Sequence, residues 1–202
     1  MENRTERGFS PDEERGRRRF ISAGEQIILR VLEREDLDRC YRWMNDPSIV
    51  WTLKSRYAIP FHADTEWLEN AVKPSATERH FAIERKHDRH HIGNASLHEI
   101  DWVSRTAKFD LFIGDPASWN RGFGSDAIRT VVRFTFLEMN LRKLKIEVFD
   151  YNERAKHVLE SNGFVQEGKF AQDFFRDGQY HDLVVLSIFN DPMKLNGALP
   201  DE

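Results

Sequence analysis

The chain has 202 residues, 40 % of them hydrophobic and 32 % charged, enough for one core inside a solvated shell and too few for two comfortable domains. Thirty Lys and Arg stand against 34 Asp and Glu, a formal charge of −4 that disfavours nucleic acid as a bulk partner. A single cysteine, Cys40, excludes an internal disulfide and a thiolate metal cluster, and no apolar run approaches the roughly 18 residues of a membrane span.

Residues 1–19 carry Arg4, Arg7, Arg15 and Arg17-Arg18-Arg19 among interleaved acids, with Phe9 the only large apolar side chain after Met1. Such a segment cannot bury enough surface to offset its ordering entropy, so a charged, disordered tail is expected. No apolar h-region follows Met1, and the expected compartment is the cytoplasm. The folded domain is expected over 20–192, with a short tail at 193–202.

From Gln26 the pattern becomes regular. Ile27 to Leu32 reads as a strand rich in branched residues. Asp36 to Asn45 reads as a helix with Leu37, Cys40, Tyr41 and Met44 on one face, stopped by Asp46-Pro47. Ala63 to Val72 is a second helix. Phe81 to Arg85, His91 to Ile100 and Lys108 to Ile113 read as strands, the last from the alternation of Phe109, Leu111 and Ile113 with Lys108, Asp110 and Phe112. The period then changes: Ile128, Val131, Val132 and Phe136 mark an amphipathic helix from Gly124 to about Met139. Leu144, Ile146 and Val148 form another strand, Asn152 to Asn162 a short helix closed by Gly163, and Asp177-Gly178 a hairpin turn. The sum is an α/β domain with a strand–helix–strand–helix centre and antiparallel flanks.

The most informative stretch is Trp119-Asn120-Arg121-Gly122-Phe123-Gly124-Ser125, between a strand and a helix. The first turn of a helix has unsatisfied N–H groups and the positive end of the dipole, so bare backbone there forms an anion site, and Arg121 adds a fixed charge. The Rossmann fingerprint would need a glycine where Ala127 stands, and a P-loop would need Gly-Lys-Ser/Thr. Spacing alone leaves two readings open: an anion site, or a tight turn whose glycines serve only geometry.

Arg121-Gly122-Phe123-Gly124 with its helix resembles motif A of the GNAT acetyltransferases, Gln/Arg-x-x-Gly-x-Gly/Ala. The Trp119 form resembles the branch that contains ribosomal-protein-alanine and spermidine acetyltransferases. Leu29-Arg30 to Asp36, Asn45-Asp46-Pro47, Asn152-Glu153-Arg154-Ala155 through Asn162-Gly163-Phe164, and the hairpin Phe174 to Asp182 resemble further stretches of that branch, in the same order, over roughly Gln26 to Phe189. The resemblance implies a mixed central sheet of about six to seven strands, splayed in the middle and flanked by about four helices. It implies acetyl-CoA as co-substrate, with its pyrophosphate on the amides of Arg121 to Gly124, further cofactor contacts from Trp119, Asn120 and Ser125, its pantetheine arm on the backbone of Phe112 and Ile113, and a hydrogen bond from Asn152. Asn152 also suits a helix N-cap. No metal is expected. The partners are an amine acceptor, either a small molecule or a protein N-terminus, and no membrane or nucleic acid; a homodimer is compatible with the reading.

Acyl transfer to an amine needs a neutral nucleophile, a donor for the oxyanion and a proton for the leaving thiolate. For the base the resemblance points to Glu99, near the end of its strand; His98 is expected on the opposite face. The family's tyrosine falls at Leu159 and its serine at Ala155, neither of which donates a proton, leaving water, Tyr180 or His157. The acceptor region is expected around Trp43, Asn45, Trp51, Arg56 and Tyr57. The reading is an acetyl-CoA-dependent N-acetyltransferase acting on a primary amine. The alternatives are a catalytically weak acyl-CoA-binding module and an RNA- or ribosome-associated protein docked through Arg17–Arg19.

Overall fold

The computed structural model describes residues 20–190; the charged segment 1–19 and the tail 193–202 lie outside them. Among the described residues one sheet holds eight strands: β1 (Phe20–Ala23), β2 (Ile27–Val31), β3 (Arg79–Arg85), β4 (His91–Asp101), β5 (Thr106–Ile113), β6 (Lys143–Phe149), β7 (Val165–Arg176) and β8 (Gln179–Phe189). Their order is β1-β2-β3-β4-β5-β6-β8-β7, antiparallel throughout except for β5 against β6. Five α-helices accompany them: α1 (Leu37–Met44), α2 (Pro47–Val50), α3 (Phe61–Ala71), α4 (Phe123–Arg133) and α5 (Glu153–Ser161). The last turn of α4 widens into a π-helical segment at Phe134–Glu138.

Two counts differ from the sequence expectation, and each has a local cause. The eighth strand is β1, whose four residues carry no readable period. The turn that joins it to β2 is held by Asp126 of α4, a carboxylate 1 % exposed that accepts from the backbone N–H groups of Glu25, Gln26 and Ile27 at 2.8–3.0 Å. A contact across 101 residues leaves no mark on neighbouring sequence. The fifth helix is α2. Asp46-Pro47 does end α1, but Pro47 suits a first helical position and Asp46 accepts from Ser48 N at 2.9 Å, so a new turn starts at once.

The sheet is covered on both faces. Leu29, Phe81, Ile83, Leu97 and Phe109 meet Ala127, Ile128 and Val131 of α4 in the main core. Ala82, which alternates with Phe81 and Ile83, instead joins Leu32, Cys40 and Leu68 beneath α1 and α3. The Asp177-Gly178 turn has positive φ at both residues, the geometry of a two-residue hairpin. Among the described residues no helix is long and apolar enough to cross a membrane.

Candidate active site

β5 and β6 are hydrogen-bonded only where Thr106–Lys108 meets Lys143–Lys145. Both strands run on past that point, to Ile113 and Phe149, and they diverge. The opening is a cleft of about 240 Å³ walled by Leu111 and Ile113 of β5, Ile146 of β6, Gly124 of α4 and Val158 and Leu159 of α5. The N-terminus of α4 points into it. The first bond of that helix runs from Asp126 N to Gly122 O, so the N–H groups of Gly122, Phe123, Gly124 and Ser125 have no helical acceptor.

The two glycines of the loop are there for different reasons. Gly122 sits at φ +84°, a left-handed conformation that L side chains rarely adopt, and Asn120 beside it is at +58°. Gly124 has no such constraint. A Cβ there would meet only Ile113 Cγ1, at 3.8 Å, which is ordinary contact. Packing therefore does not require a glycine at 124; what its absence of a side chain preserves is access from the cleft to the amides. This is the cradle that a pyrophosphate-bearing group needs, and two cations flank it. Arg121 is exposed, and Arg154 lines the cleft with its guanidinium 5.7 Å from the Trp119 ring.

The other expected cofactor residues take distinct places. Trp119 lines the cleft and donates from Nε1 to Ile113 O at 2.7 Å, tying the loop to the end of β5. Phe123 is core, 6 % exposed, and contributes only its backbone to the helix start. Ser125 exchanges hydrogen bonds with Asn162 at the end of α5, at 2.8 and 3.1 Å. Asn152 lines the cleft and caps α5, its Oδ1 accepting from Ala155 N at 3.1 Å. On β5 the peptide groups alternate between neighbours. Gly114 N bonds to Ile92 O of β4 and the Phe112 carbonyl lies against Gly93, so Phe112 turns its backbone to β4. Leu111 and Ile113 turn theirs to the split. Leu111 was not among the residues named from sequence, although the same alternation, counted from the strand end, would have found it.

On the opposite face an ion-pair chain crosses the root of the split. Lys108 Nζ lies 2.9 Å from Glu99 Oε1 and 3.1 Å from Glu147 Oε1, and Lys54 reaches Glu147 Oε2. His98 Nε2 lies 2.9 Å from Asp110 Oδ2, and that carboxylate holds the imidazole above its ordinary value. His98 and Glu99 do not point apart as strand alternation predicts. Glu99 sits at φ +50° in a bulge between His98 and Asp101, which turns its carboxylate to the face of Lys108 and within 3.9 Å of His98 Nδ1. It lies outside the lining of the cleft and its side chain is 61 % exposed.

Leu159, 2 % exposed, forms part of the cleft wall, and Ala155 lines it too. Neither His157 nor Tyr180 does; Tyr180 is 66 % exposed on the β7–β8 hairpin. Cys40 is 1 % exposed, its thiol pushed by burial to about 11, so it offers no thiolate to carry an acyl group. Of the region expected to meet the acceptor, Trp43 is buried against His91 and Phe112, and Asn45 ties Tyr41 O to both backbone groups of Ile59. Ser48, Ile49 and Thr52, from α2 and the loop after it, line the cleft instead.

A mixed sheet split between two parallel strands, with a bare helix N-terminus at the split, defines a class of acyl-coenzyme A-dependent transferases. The acetyltransferase (GNAT) domain family matches residues 26–165, and the chain belongs to that family. It is 32 % identical over 162 residues to the spermidine N(1)-acetyltransferase of Vibrio cholerae, covering 78 % of this chain and 90 % of that one. It is 31 % identical over 171 residues to the Escherichia coli K12 spermidine N(1)-acetyltransferase, 84 % and 89 % of the two chains. The crystal structure of the V. cholerae spermidine N-acetyltransferase with CoA and spermine superposes with a TM-score of 0.76 at 30 % identity, over 81 % of this chain and 95 % of that one. The chain is an N-acetyltransferase that moves an acetyl group to a primary amine.

Proposed function

We propose that the acceptor is a polyamine of the spermidine class and that acetyl-CoA binds in the split between β5 and β6. The observation that carries this reading is the split itself, with anion-binding amides at one end and carboxylates on the far face, together with the acceptor named for relatives that match across most of their length. Acetyl-CoA, when bound, supplies the thioester that the amine attacks directly.

The chain's own residues have the following parts. Gly122 to Ser125 offer their N–H groups to the pyrophosphate, with Arg121 and Arg154 adding charge. The gap-facing backbone of Leu111 and Ile113 binds the pantetheine arm, and a Leu111 N–H is the donor for the oxyanion. Asn152 binds the same arm while capping α5. Glu99, held on the open face by Lys108, accepts the proton of the incoming amine. Glu147 is less suited to that step, because Lys54 and Lys108 engage both its oxygens and, against the effect of burial, hold it below its ordinary value. With Leu159 and Ala155 on the wall, the departing thiolate takes its proton from water.

The test is release of free thiol from acetyl-CoA with spermidine, spermine and an alanine-initiated peptide as acceptors. Spermidine or spermine should be preferred. A Glu99→Gln variant should lose about 10²-fold or more in rate with acetyl-CoA affinity intact. Preference for the peptide would sink the polyamine assignment, and a wild-type rate in Glu99→Gln would remove the base.

A further inference from the structure

Glu147 is the least exposed carboxylate on the open face of the split, its side chain 12 % exposed. It follows Ile146, which walls the cleft, and the strand alternation carries it through to the acceptor face. Each of its oxygens holds a primary ammonium, Lys108 on Oε1 and Lys54 on Oε2. The two lysines differ. Lys108 is 26 % exposed on β5 and shared with Glu99, whereas Lys54 is 56 % exposed and projects from the loop after α2.

That loop is held from the far edge of the sheet. Arg176 of β7 donates to the carbonyls of Trp51, Leu53 and Ser55, the last two at 2.9 and 2.6 Å, and to Tyr151 Oη at 3.0 Å. One guanidinium thus sets the course of the segment that carries both Thr52 of the cleft wall and Lys54.

Resting on the polyamine reading, we propose that Glu147 is an ammonium-binding subsite for the acceptor and that Lys54 is a built-in competitor for it, held in place by Arg176. A lysine ammonium is the same chemical group as the end of a polyamine. A nearly buried carboxylate needs a donor on each oxygen; Lys108 stays on Oε1, and an acceptor ammonium takes Oε2 when it displaces Lys54.

The experiment is steady-state kinetics with spermidine and acetyl-CoA on wild type, Lys54→Met, Glu147→Gln and the double variant. Lys54→Met should lower the spermidine KM about two- to fivefold, the range that the strength of a partly exposed ion pair sets, and leave the acetyl-CoA KM unchanged. Glu147→Gln should raise the spermidine KM about tenfold or more, and in the double variant the Lys54 effect should vanish. A spermidine KM that is unchanged or higher in Lys54→Met, or a Lys54 effect that persists without Glu147, overturns the proposal. If wild type releases no thiol with spermidine, the polyamine reading fails instead. Calorimetric binding of spermidine to wild type and Lys54→Met then decides the subsite: tighter binding in the variant supports it, and equal binding removes it.

Discussion

Gly124→Val tests the end of the cleft proposed for the cofactor, because at this position effects on fold and on binding separate. Gly124 lies in the first turn of α4 with an ordinary φ, and a Cβ would touch only Ile113 Cγ1 at 3.8 Å. A methyl is therefore accommodated, and Gly124→Ala should be neutral or gain up to about 0.5–1 kcal/mol of stability, the helix cost of glycine. Valine places two further methyls over the N–H groups of residues 122–125. Hydrogen bonds to a charged group are worth about 1.5–3 kcal/mol each, so loss of one weakens acetyl-CoA binding roughly 10- to 150-fold and loss of two by more. Gly122→Ala is the contrast: at φ +84° it should cost about 1–2 kcal/mol of stability through backbone strain. The assay is calorimetric titration of acetyl-CoA beside thermal melting for all three variants. A Gly124→Val protein that melts like wild type and binds acetyl-CoA with wild-type affinity would refute the argument that this glycine keeps the amides open.

Asp126→Ala removes the acceptor of three buried or part-buried N–H groups and should destabilise the fold by about 3–5 kcal/mol in urea titration; a loss under about 1 kcal/mol would show that the β1–β2 turn is held by other means. The pair His98–Asp110 predicts a pH dependence. His98 is raised by Asp110, so its contribution is fully present below the unfolded value near 6.5 and disappears as pH rises through the folded value. Asp110→Asn should therefore cost more stability at pH 6 than at pH 9 in urea titration, by no more than about 1 kcal/mol because Asp110 is 61 % exposed; an equal loss at both pH values contradicts the coupling. Leu159→Tyr should cost about 1–3 kcal/mol from overpacking a site 2 % exposed, while its hydroxyl, on the cleft wall, raises kcat by protonating the thiolate. Unchanged kcat in the folded variant would show that thiolate protonation does not limit the rate.

What the sequence by itself determined is what short-range physics writes into it. The helix starts at Gly122–Gly124 and Asn152, the αL residue at Gly163, the Asp177-Gly178 turn and the alternation along β5 each depend on residues within about four positions of one another, so their types and spacing suffice. The ordered set of such signals placed the glycine loop and the strand beside it; a cofactor at that loop is what the family resemblance implies. Tertiary structure alone decided what depends on distant partners or on a break in period. One bulged residue with φ +50° brought Glu99 to the face of His98 and Lys108, where unbroken alternation would have separated them. Glu147 reads as one more polar residue of an alternating strand, yet its two ammonium partners lie 93 and 39 positions away, and the carbonyls that Arg176 gathers are more than 120 positions distant. No local pattern encodes such pairs, because the free energy that forms them is gained only once the sheet has brought the strands together.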